Sequence, residues 1–194
     1  MISHLPIGPT GKWYAEAKVV VSHSSCGLGL CHVNSQYIFS SIGELHLGGT
    51  ATGDYALKQT TGNTFHDNAN AAYGLSSTTN DIIMIAVDMD GGKIWWGKNG
   101  TWYASGVPDE GTSPAFSDLS GQYYFAHSCE QGSTLEWDFG QHGFTYPPGA
   151  IYDTEGFKAV HTGNLPEPAV PNHDDTFFIT SVAGNAVDAA VDGV

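Results

Sequence analysis

Apolar side chains recur at every second position in several short segments of the chain, and glycine-containing turns separate these segments. In segment 133–140, for example, Leu135, Trp137 and Phe139 alternate with polar residues. Successive side chains of a β-strand point to opposite faces, so a period of two predicts a strand with one buried face. No segment carries apolar residues at helical spacing over three turns. The pattern predicts an all-β protein, and we expect an antiparallel β-sandwich.

The same pattern predicts where the strands lie and how they pair. Strands are expected at 12–22, 26–33, 81–90, 93–102, 122–129 and 133–140, and one or two short strands among the loops of 48–80. Segment 81–90 has a continuously apolar centre, which is typical of a strand buried on both faces. It should form a hairpin with 93–102. Segments 122–129 and 133–140 should form a second hairpin, turning at Gln131 and Gly132.

Two of these segments also indicate how they pack. One face of 12–22 is apolar and consists of Trp13, Ala15, Ala17, Val19 and Val21. Glu16 and Lys18 lie on the other face, so a half-exposed strand is expected. Segment 26–33 is rich in glycine, which predicts close packing against a neighbour.

The charge balance excludes two classes of partner. The chain contains six Lys and Arg residues and 20 Asp and Glu residues, which give a formal net charge of −14. Phosphate backbones and anionic membrane surfaces are bound through Lys and Arg, so we expect neither a nucleic-acid partner nor binding to an anionic membrane surface. Membrane insertion is not expected either. The opening residues lack the pattern of a signal peptide, and no apolar run reaches the roughly 20 residues of a membrane span. A soluble protein is expected.

The chain contains three cysteines, Cys26, Cys31 and Cys129. Cys26 and Cys31 are five residues apart, so on one strand they would point to opposite faces and could not bridge. An odd number without regular spacing argues against a disulfide framework. All three are therefore expected to be reduced and buried.

A domain boundary is expected near residue 160. Residues 1–160 carry the sandwich pattern, and 161–194 form a C-terminal extension. Within the extension, 164–175 contain three prolines and several acids, which predicts a stiff, extended connector. One further strand should follow it. Phe177, Phe178 and Ile179 in that strand are the residues expected to contact another copy or a partner.

Three motifs occur in an order that resembles the SPRY domain family. The first is an opening strand with Gly11, Tyr14 and Glu16, and the second is a hairpin with Asp88, Gly92, Ile94, Lys98, Asn99 and Gly100. The third is a closing segment with Asp138, Phe139, Gly140 and Phe144, where the family usually has Asn-Phe-Gly and Pro-Phe. The resemblance spans about 11–146. It implies a concanavalin-like sandwich that binds proteins or peptides through loops at one end and is not an enzyme.

A narrower resemblance rests on WWGKNGTWYASG and FKAVHTGNLPEP. Both stretches are similar to SPRY-like segments in structural proteins of tailed bacteriophages. There, such a domain often precedes a proline-containing linker. This resemblance implies a component of a virion, such as a tail, a fibre or the head surface.

Candidate catalytic and metal-binding residues do not have the spacing that their chemistry needs. Asp88 and Asp90 precede a glycine pair, but an EF-hand would require Glu where Asn99 stands, so a turn is the better interpretation. The histidines form no metal-binding motif; only a long-range convergence of His32 and His127 stays open. Glu136 and Asp138 share a strand face without a third acid. We therefore predict no enzyme activity, no metal site and no cofactor.

Aromatic residues are the remaining candidates for ligand binding. Trp95 and Trp96 are adjacent on one strand, so one should be buried in the core and the other should lie on the outer face or under a loop. Exposed aromatics beside glycines commonly contact sugars or peptide backbones. Trp96, Trp102 and Tyr103 are the predicted binding residues, although tryptophan in a family motif more often packs in the core.

Together, these observations predict a non-enzymatic virion module that makes protein–protein contacts with other virion proteins or with copies of itself. A receptor- or glycan-binding module on a tail or fibre is the first alternative. A sandwich-fold glycan hydrolase or lyase is the second. The alternatives differ in whether a host-surface protein or glycan is bound, and whether a glycan is cleaved.

Overall fold

The computed structural model describes residues 2–3, 5–22, 26–35, 47–49, 53–129, 132–147 and 157–159. Eleven strands and two short 3₁₀ turns, Tyr103–Ser105 and Pro108–Glu110, make up the regular structure of these residues. The strands are β1 (Lys12–Val21), β2 (Cys26–His32), β3 (Tyr55–Lys58), β4 (Asn63–His66), β5 (Ala69–Ala72), β6 (Ile82–Asp88), β7 (Lys93–Lys98), β8 (Thr101–Trp102), β9 (Tyr123–Cys129), β10 (Thr134–Asp138) and β11 (Lys158–Ala159). The all-β prediction is confirmed.

The strands form two sheets. The six-stranded sheet has the order β10-β1-β6-β7-β8, and β11 pairs in parallel with the beginning of β1. The five-stranded sheet has the order β5-β4-β3-β2-β9, and all its pairs are antiparallel. The side chains between the two sheets form the main core, which includes Trp13, Leu28, Leu30, Ile83, Ile85, Trp96, Phe125 and Trp137. This arrangement is the predicted antiparallel sandwich.

The predicted hairpin of 81–90 and 93–102 is confirmed. β6 and β7 pair from Asp88 opposite Lys93 to Ile83 opposite Lys98. Every residue of β6 from Ile83 to Asp88 is buried, so both faces of this strand are covered. Gly29 on β2 shows the predicted close packing: a Cβ atom there would lie 2.9 Å from the Trp96 ring.

The second predicted hairpin is wrong. β9 pairs with β2 in the five-stranded sheet, whereas β10 pairs with β1 in the six-stranded sheet. The two consecutive strands face each other across the core, where the Phe125 and Trp137 rings have centroids 6.1 Å apart. An alternating pattern shows which face of a strand is buried, but it does not show which strand lies beside it.

The outer face of β1 is buried at Tyr14 and Glu16, where the prediction of an exposed face is wrong, and exposed at Lys18 and Val20, where the prediction is confirmed. Glu16 is only 3% exposed. Its carboxylate accepts hydrogen bonds from the Tyr14 hydroxyl (3.0 Å) and from the backbone N–H groups of Thr145 (2.9 Å) and Tyr146 (2.7 Å). A second apolar cluster surrounds it, consisting of Tyr14, Met84, Ala86, Trp95 and Phe157 with Trp102, Phe144 and Tyr146 against them. Chain that follows β10 thus covers this face.

The prediction of three reduced cysteines is wrong for two of them. Cys26 and Cys129 lie directly opposite each other on β2 and β9, with Cα atoms 4.0 Å apart, and form a disulfide. Their separation of 103 residues gives no local signal, and only the strand register brings them together. Cys31 is free and buried as predicted, and burial raises the pKa of its thiol to about 12.

Residues 161–194 lie outside the described residues, and so do Phe177, Phe178 and Ile179. The expected boundary near residue 160 and the expected contact strand stay predictions.

Candidate functional site

One end of the five-stranded sheet gathers several polar and aromatic side chains. β2 and β4 finish there, at His32 and His66, and β3 and β9 begin there, at Tyr55 and Tyr123. The segment from 113 to 122 also reaches this end, because Phe116 packs against Tyr55 and His66 and Asp118 accepts a hydrogen bond from Tyr55. We call this surface the loop end and define it by Tyr55, His66, Asp67, Phe116 and Asp118.

A stacked pair of rings forms the base of the loop end. The imidazole of His66 lies on the phenol ring of Tyr55, with centroids 4.0 Å apart and an interplanar angle of 6°. Phe116 packs edge-on against both rings, at 5.0 Å from Tyr55 and 5.4 Å from His66. Tyr55 is buried, so the stack has a rigid foundation in the core.

Two exposed carboxylates flank this stack. The side chains of Asp67 and Asp118 are 57% and 63% exposed, and their oxygens lie 3.6 Å and 3.9 Å from Nε2 of His66. The Tyr55 hydroxyl donates a hydrogen bond to Asp118 (3.1 Å). Nδ1 of His66 lies 3.0 Å from the carbonyl oxygen of Asp54. Because that oxygen can only accept, Nδ1 carries a proton and the imidazole has a fixed orientation.

A buried carboxylate orders the chain beside the loop end. Asp54 is 4% exposed and accepts hydrogen bonds from the Ser35 hydroxyl (2.6 Å) and the His32 backbone N–H (2.8 Å). Burial raises the pKa of Asp54, and these hydrogen bonds oppose the rise. Asp54 therefore holds the start of β3 against the end of β2, and this fixes Tyr55 in place.

The loop end combines an aromatic platform with carboxylates that can accept hydrogen bonds. Such a surface suits a Lys or Arg side chain, because its N–H groups can donate to the exposed carboxylates of Asp67 and Asp118. The short turn Asp67-Asn68, with positive φ at both residues, holds Asp67 at the rim.

Comparison with known proteins places this fold in a family. The family model described as SPRY domain matches residues 12–142. The chain belongs to the SPRY domain family. SPRY domains are typically protein-interaction modules and not enzymes. The crystal structure of the SPRY domain of human HERC1 is similar, with a TM-score of 0.52, 19% sequence identity, and coverage of 70% of this chain and 79% of that chain. At that identity, the likeness shows a shared fold.

The three aromatic residues predicted to bind a ligand do not share a surface in this SPRY domain. Trp96 is fully buried in the main core, so its ring has no exposed area for a ligand and its role is packing. Tyr103 is also in the main core, and its hydroxyl donates to the Leu75 carbonyl (3.1 Å). Trp102 is half-buried on the opposite face of the sheet, edge-on to Tyr14 at 6.3 Å. Trp95 and Trp96 do lie on opposite faces, as expected.

The predicted pair of strand carboxylates borders a groove on the outer face of the six-stranded sheet. The groove has a volume of about 320 Å³ and is lined by Glu16, Lys18, Ile82, Glu136, Trp137, Asp138, His142, Gly143 and Thr145. Glu136 is exposed, whereas Asp138 accepts a hydrogen bond from the Gly140 N–H (2.7 Å). Both oxygens of Glu16 are engaged by hydrogen bonds, so it serves the fold.

The two remaining predictions concern metal sites. His127 lies opposite Leu28, four residues along β2 from His32, so these two histidines do not converge. Asp88 accepts a hydrogen bond from the Gly91 N–H (2.9 Å), as expected for a turn. Asp90 instead accepts one from the N–H of Gly11 (3.0 Å), which lies 79 residues earlier in the chain. Within the described ranges, no group of three His, Cys, Asp or Glu side chains could hold a metal ion.

The sequence reasoning did not identify the loop end. Tyr55 and His66 fall in the stretch 48–80, which was expected to be mostly loops, and Asp118 lies more than 50 residues further along the chain. The one available signal was Asp67-Asn68 after an aromatic-containing segment, which is typical of a tight hairpin turn. In the part of the chain that the structure describes, no helix is long and apolar enough to span a bilayer.

Proposed function

We propose that this SPRY domain is a non-enzymatic structural or decoration module of a phage-like virion, and that it binds other virion proteins or copies of itself. The loop end is the observation that carries the proposal. Its stacked Tyr55 and His66 rings and its exposed Asp67 and Asp118 carboxylates form a preorganised surface for a basic protein segment. Preorganisation reduces the entropy lost when a ligand binds.

Charge supports a protein ligand with basic residues. The chain has a net charge of −14, and Asp67 and Asp118 add carboxylates at the rim of an aromatic platform. Complementary charge increases the association rate and disfavours acidic partners. A Lys- or Arg-bearing loop of a neighbouring virion protein is the expected ligand.

The disulfide supports a location outside a reducing cytosol. Disulfides persist in oxidising surroundings, which include virion surfaces, and are rare in reduced compartments. The bond between Cys26 and Cys129 joins neighbouring strands of the five-stranded sheet. A virion component exposed to the medium would keep this bond.

Carbodiimide cross-linking of purified particles that contain the chain tests the proposal. This reagent joins a carboxylate directly to an amine that touches it. We expect Asp67 or Asp118 to be joined to a lysine of another virion protein or another copy. In particles carrying Asp67→Asn and Asp118→Asn, those products should disappear, since amides do not react.

The exposed Glu136 is the matched control, because it is a carboxylate on the outer face of the other sheet. Glu136→Gln should leave the loop-end products unchanged. Failure to find the chain in purified particles would contradict the virion role. Products formed only through Glu136 would contradict the assignment of the loop end.

A receptor- or glycan-binding module is the second candidate, and Trp102 is the observation that favours it. Trp102 is the one predicted binding residue that keeps an exposed portion. Sugars stack on exposed aromatic rings. Binding on a glycan array that is lost in Trp102→Ala would support this candidate, whereas an array without binding would remove it.

A glycan hydrolase or lyase has less support. Of the three acids at the groove, Glu16 and Asp138 accept hydrogen bonds from backbone N–H groups, which leaves Glu136 alone. Glycosidases use two carboxyl groups on either side of the scissile bond. We expect no turnover of a polysaccharide panel; turnover abolished by Glu136→Gln would overturn this expectation.

A further inference from the structure

Among the described residues, the five-stranded sheet ends in a strand that has no partner on its outer edge. β5 (Ala69–Ala72) pairs with β4 on one side, and no described strand lies on its other side. All four residues of β5 are exposed. An open edge presents unpaired backbone N–H and C=O groups, and another strand can add to them.

This edge is short, at four residues, but it lacks the other features that commonly prevent strand addition. Proteins protect open edges with charged side chains, proline or bulges. β5 has none of these, and no charged residue occurs from 68 to 80, although the chain as a whole carries a charge of −14. Leu75, three residues after β5, is 65% exposed. The edge is therefore neutral and borders an exposed apolar side chain.

The register of the hairpin identifies the groups available for pairing. His66 and Ala69 flank the two-residue turn Asp67-Asn68, and such a flanking pair is hydrogen-bonded in a tight hairpin. Hydrogen-bonded and non-hydrogen-bonded pairs alternate along antiparallel strands. The backbone groups of Asn70 and Ala72 therefore point away from β4, toward the open edge.

We propose that the β5 edge accepts residues 176–181 from the C-terminal arm of a second copy, as an added strand. This inference rests on the part of the proposed function in which copies of the chain contact each other, and it takes up the prediction that Phe177, Phe178 and Ile179 make such a contact. Residues 176–187 carry no charge, so they suit a neutral edge. Aromatic and β-branched residues such as Phe178 and Ile179 favour strands.

The sequence before the arm favours a second copy over the same chain. The connector 164–175 has prolines at 166, 168 and 171 and acids at 167, 174 and 175. Proline-rich connectors are extended, at about 3.1 Å per residue, and act as spacers. An extended connector carries the arm away from its own domain, toward a neighbour.

Two proline variants of the full chain separate the acceptor edge from the donor arm. Ala72→Pro removes an N–H that points to the open edge and leaves the pairing with β4 intact, because proline is tolerated at such positions. Phe178→Pro removes an N–H from the arm and disfavours its strand conformation. Multi-angle light scattering should show that the wild-type chain associates and that each variant alone has a dissociation constant at least tenfold higher.

A mixture of the two variants is the decisive sample. Ala72→Pro keeps a functional arm and Phe178→Pro keeps a functional edge, so the mixture should regain association as mixed dimers. Ala72→Ser keeps the N–H and is the matched control, which should associate like the wild type. Far-ultraviolet circular dichroism and the melting temperature of Ala72→Pro should match those of Ala72→Ser.

The outcomes distinguish this inference from the proposed function. If Phe178→Pro abolishes association and Ala72→Pro does not, the arm adds elsewhere and the inference is overturned, while the proposed contacts between copies stand. If the mixture does not regain association, addition to a second copy is overturned. If the wild-type chain is a monomer at all concentrations, self-association fails, and the cross-linking of particles still tests the virion role.

Discussion

The two edges of the five-stranded sheet differ in how they are finished. At one edge, β9 is covered by the N-terminal segment, since Ile2 bridges to Ala126 and Ile7 bridges to Tyr123. A disulfide further ties β9 to its neighbour β2. At the other edge, β5 is fully exposed and has no described partner on its outer side.

The difference indicates which edge supports the fold and which can bind. The covered edge carries residues of the main core, such as Ile7 and Phe125, and a change there should cost stability. The open edge contributes small exposed side chains, so a change there should affect association with little effect on stability. Four predictions test this division, from the largest expected effect to the smallest.

Removing the disulfide should have the largest effect on stability. A crosslink that closes a loop of about 100 residues stabilises by up to about 4.7 kcal/mol through the unfolded state. The pair Cys26→Ala and Cys129→Ala should therefore lower the free energy of unfolding by about 4 kcal/mol, as measured by urea denaturation. Reductant should destabilise the wild type and leave the double variant unchanged. If the wild type and the double variant had the same free energy of unfolding, the disulfide would not stabilise the fold.

Truncating the segment that covers β9 should have the next largest effect. Ile7 is fully buried, and its backbone N–H donates to the Tyr123 carbonyl (2.7 Å). Ile7→Ala should cost about 3 kcal/mol, because it leaves a cavity in the core. Ile2 is only half-buried, so Ile2→Ala is a matched control with an expected cost of about 1 kcal/mol. If Ile7→Ala and Ile2→Ala lowered the free energy of unfolding by the same small amount, the N-terminal segment would not be holding the β9 edge closed.

Acid should weaken the covered edge through His127 on β9. Burial lowers the pKa of His127 from 6.5 to about 4, and its Nδ1 accepts a hydrogen bond from the Trp137 indole N–H (2.8 Å). Because the unfolded chain binds the proton more readily, stability is complete above pH 6.5 and falls as the pH decreases toward 4.

The expected loss is about 2 kcal/mol after allowance for partial exposure of the ring. Urea denaturation at pH 7 and at pH 4 measures the loss. His127→Gln cannot titrate, so its stability should depend less on pH over this range. An unchanged pH dependence in that variant would exclude His127 as the source.

Changes on the open edge should have the smallest effect on stability. Ala72→Ser alters an exposed side chain and leaves the backbone groups in place. Exposed substitutions of this kind usually change stability by less than about 0.5 kcal/mol. A loss above 1 kcal/mol in thermal denaturation would show that β5 is part of the stabilising framework.

The sequence predicted the features that depend on local pattern. The apolar centre of 81–90 and the following glycines were enough to identify β6, β7 and their hairpin. Alternation identified the buried faces of β1 and β10, including Trp13 and Trp137. The ordered motifs indicated the family.

Features that depend on long-range register could not be predicted. The bond between Cys26 and Cys129 requires β2 and β9 to be neighbours. Burial of Glu16 requires backbone N–H groups that lie about 130 residues later. The loop end combines side chains from three separate segments, and no local spacing shows that they meet.

The central claim is that the β9 edge is closed within one molecule and that the β5 edge is closed by another. Hydrogen exchange of the full chain, followed by mass spectrometry at low and at high protein concentration, tests it directly. We predict that β9 amides exchange slowly at both concentrations and that the outward amides of Asn70 and Ala72 become protected only at the higher one. The account would be contradicted if the protection of the Asn70 and Ala72 amides did not change with protein concentration and the amides of another sheet edge became protected instead.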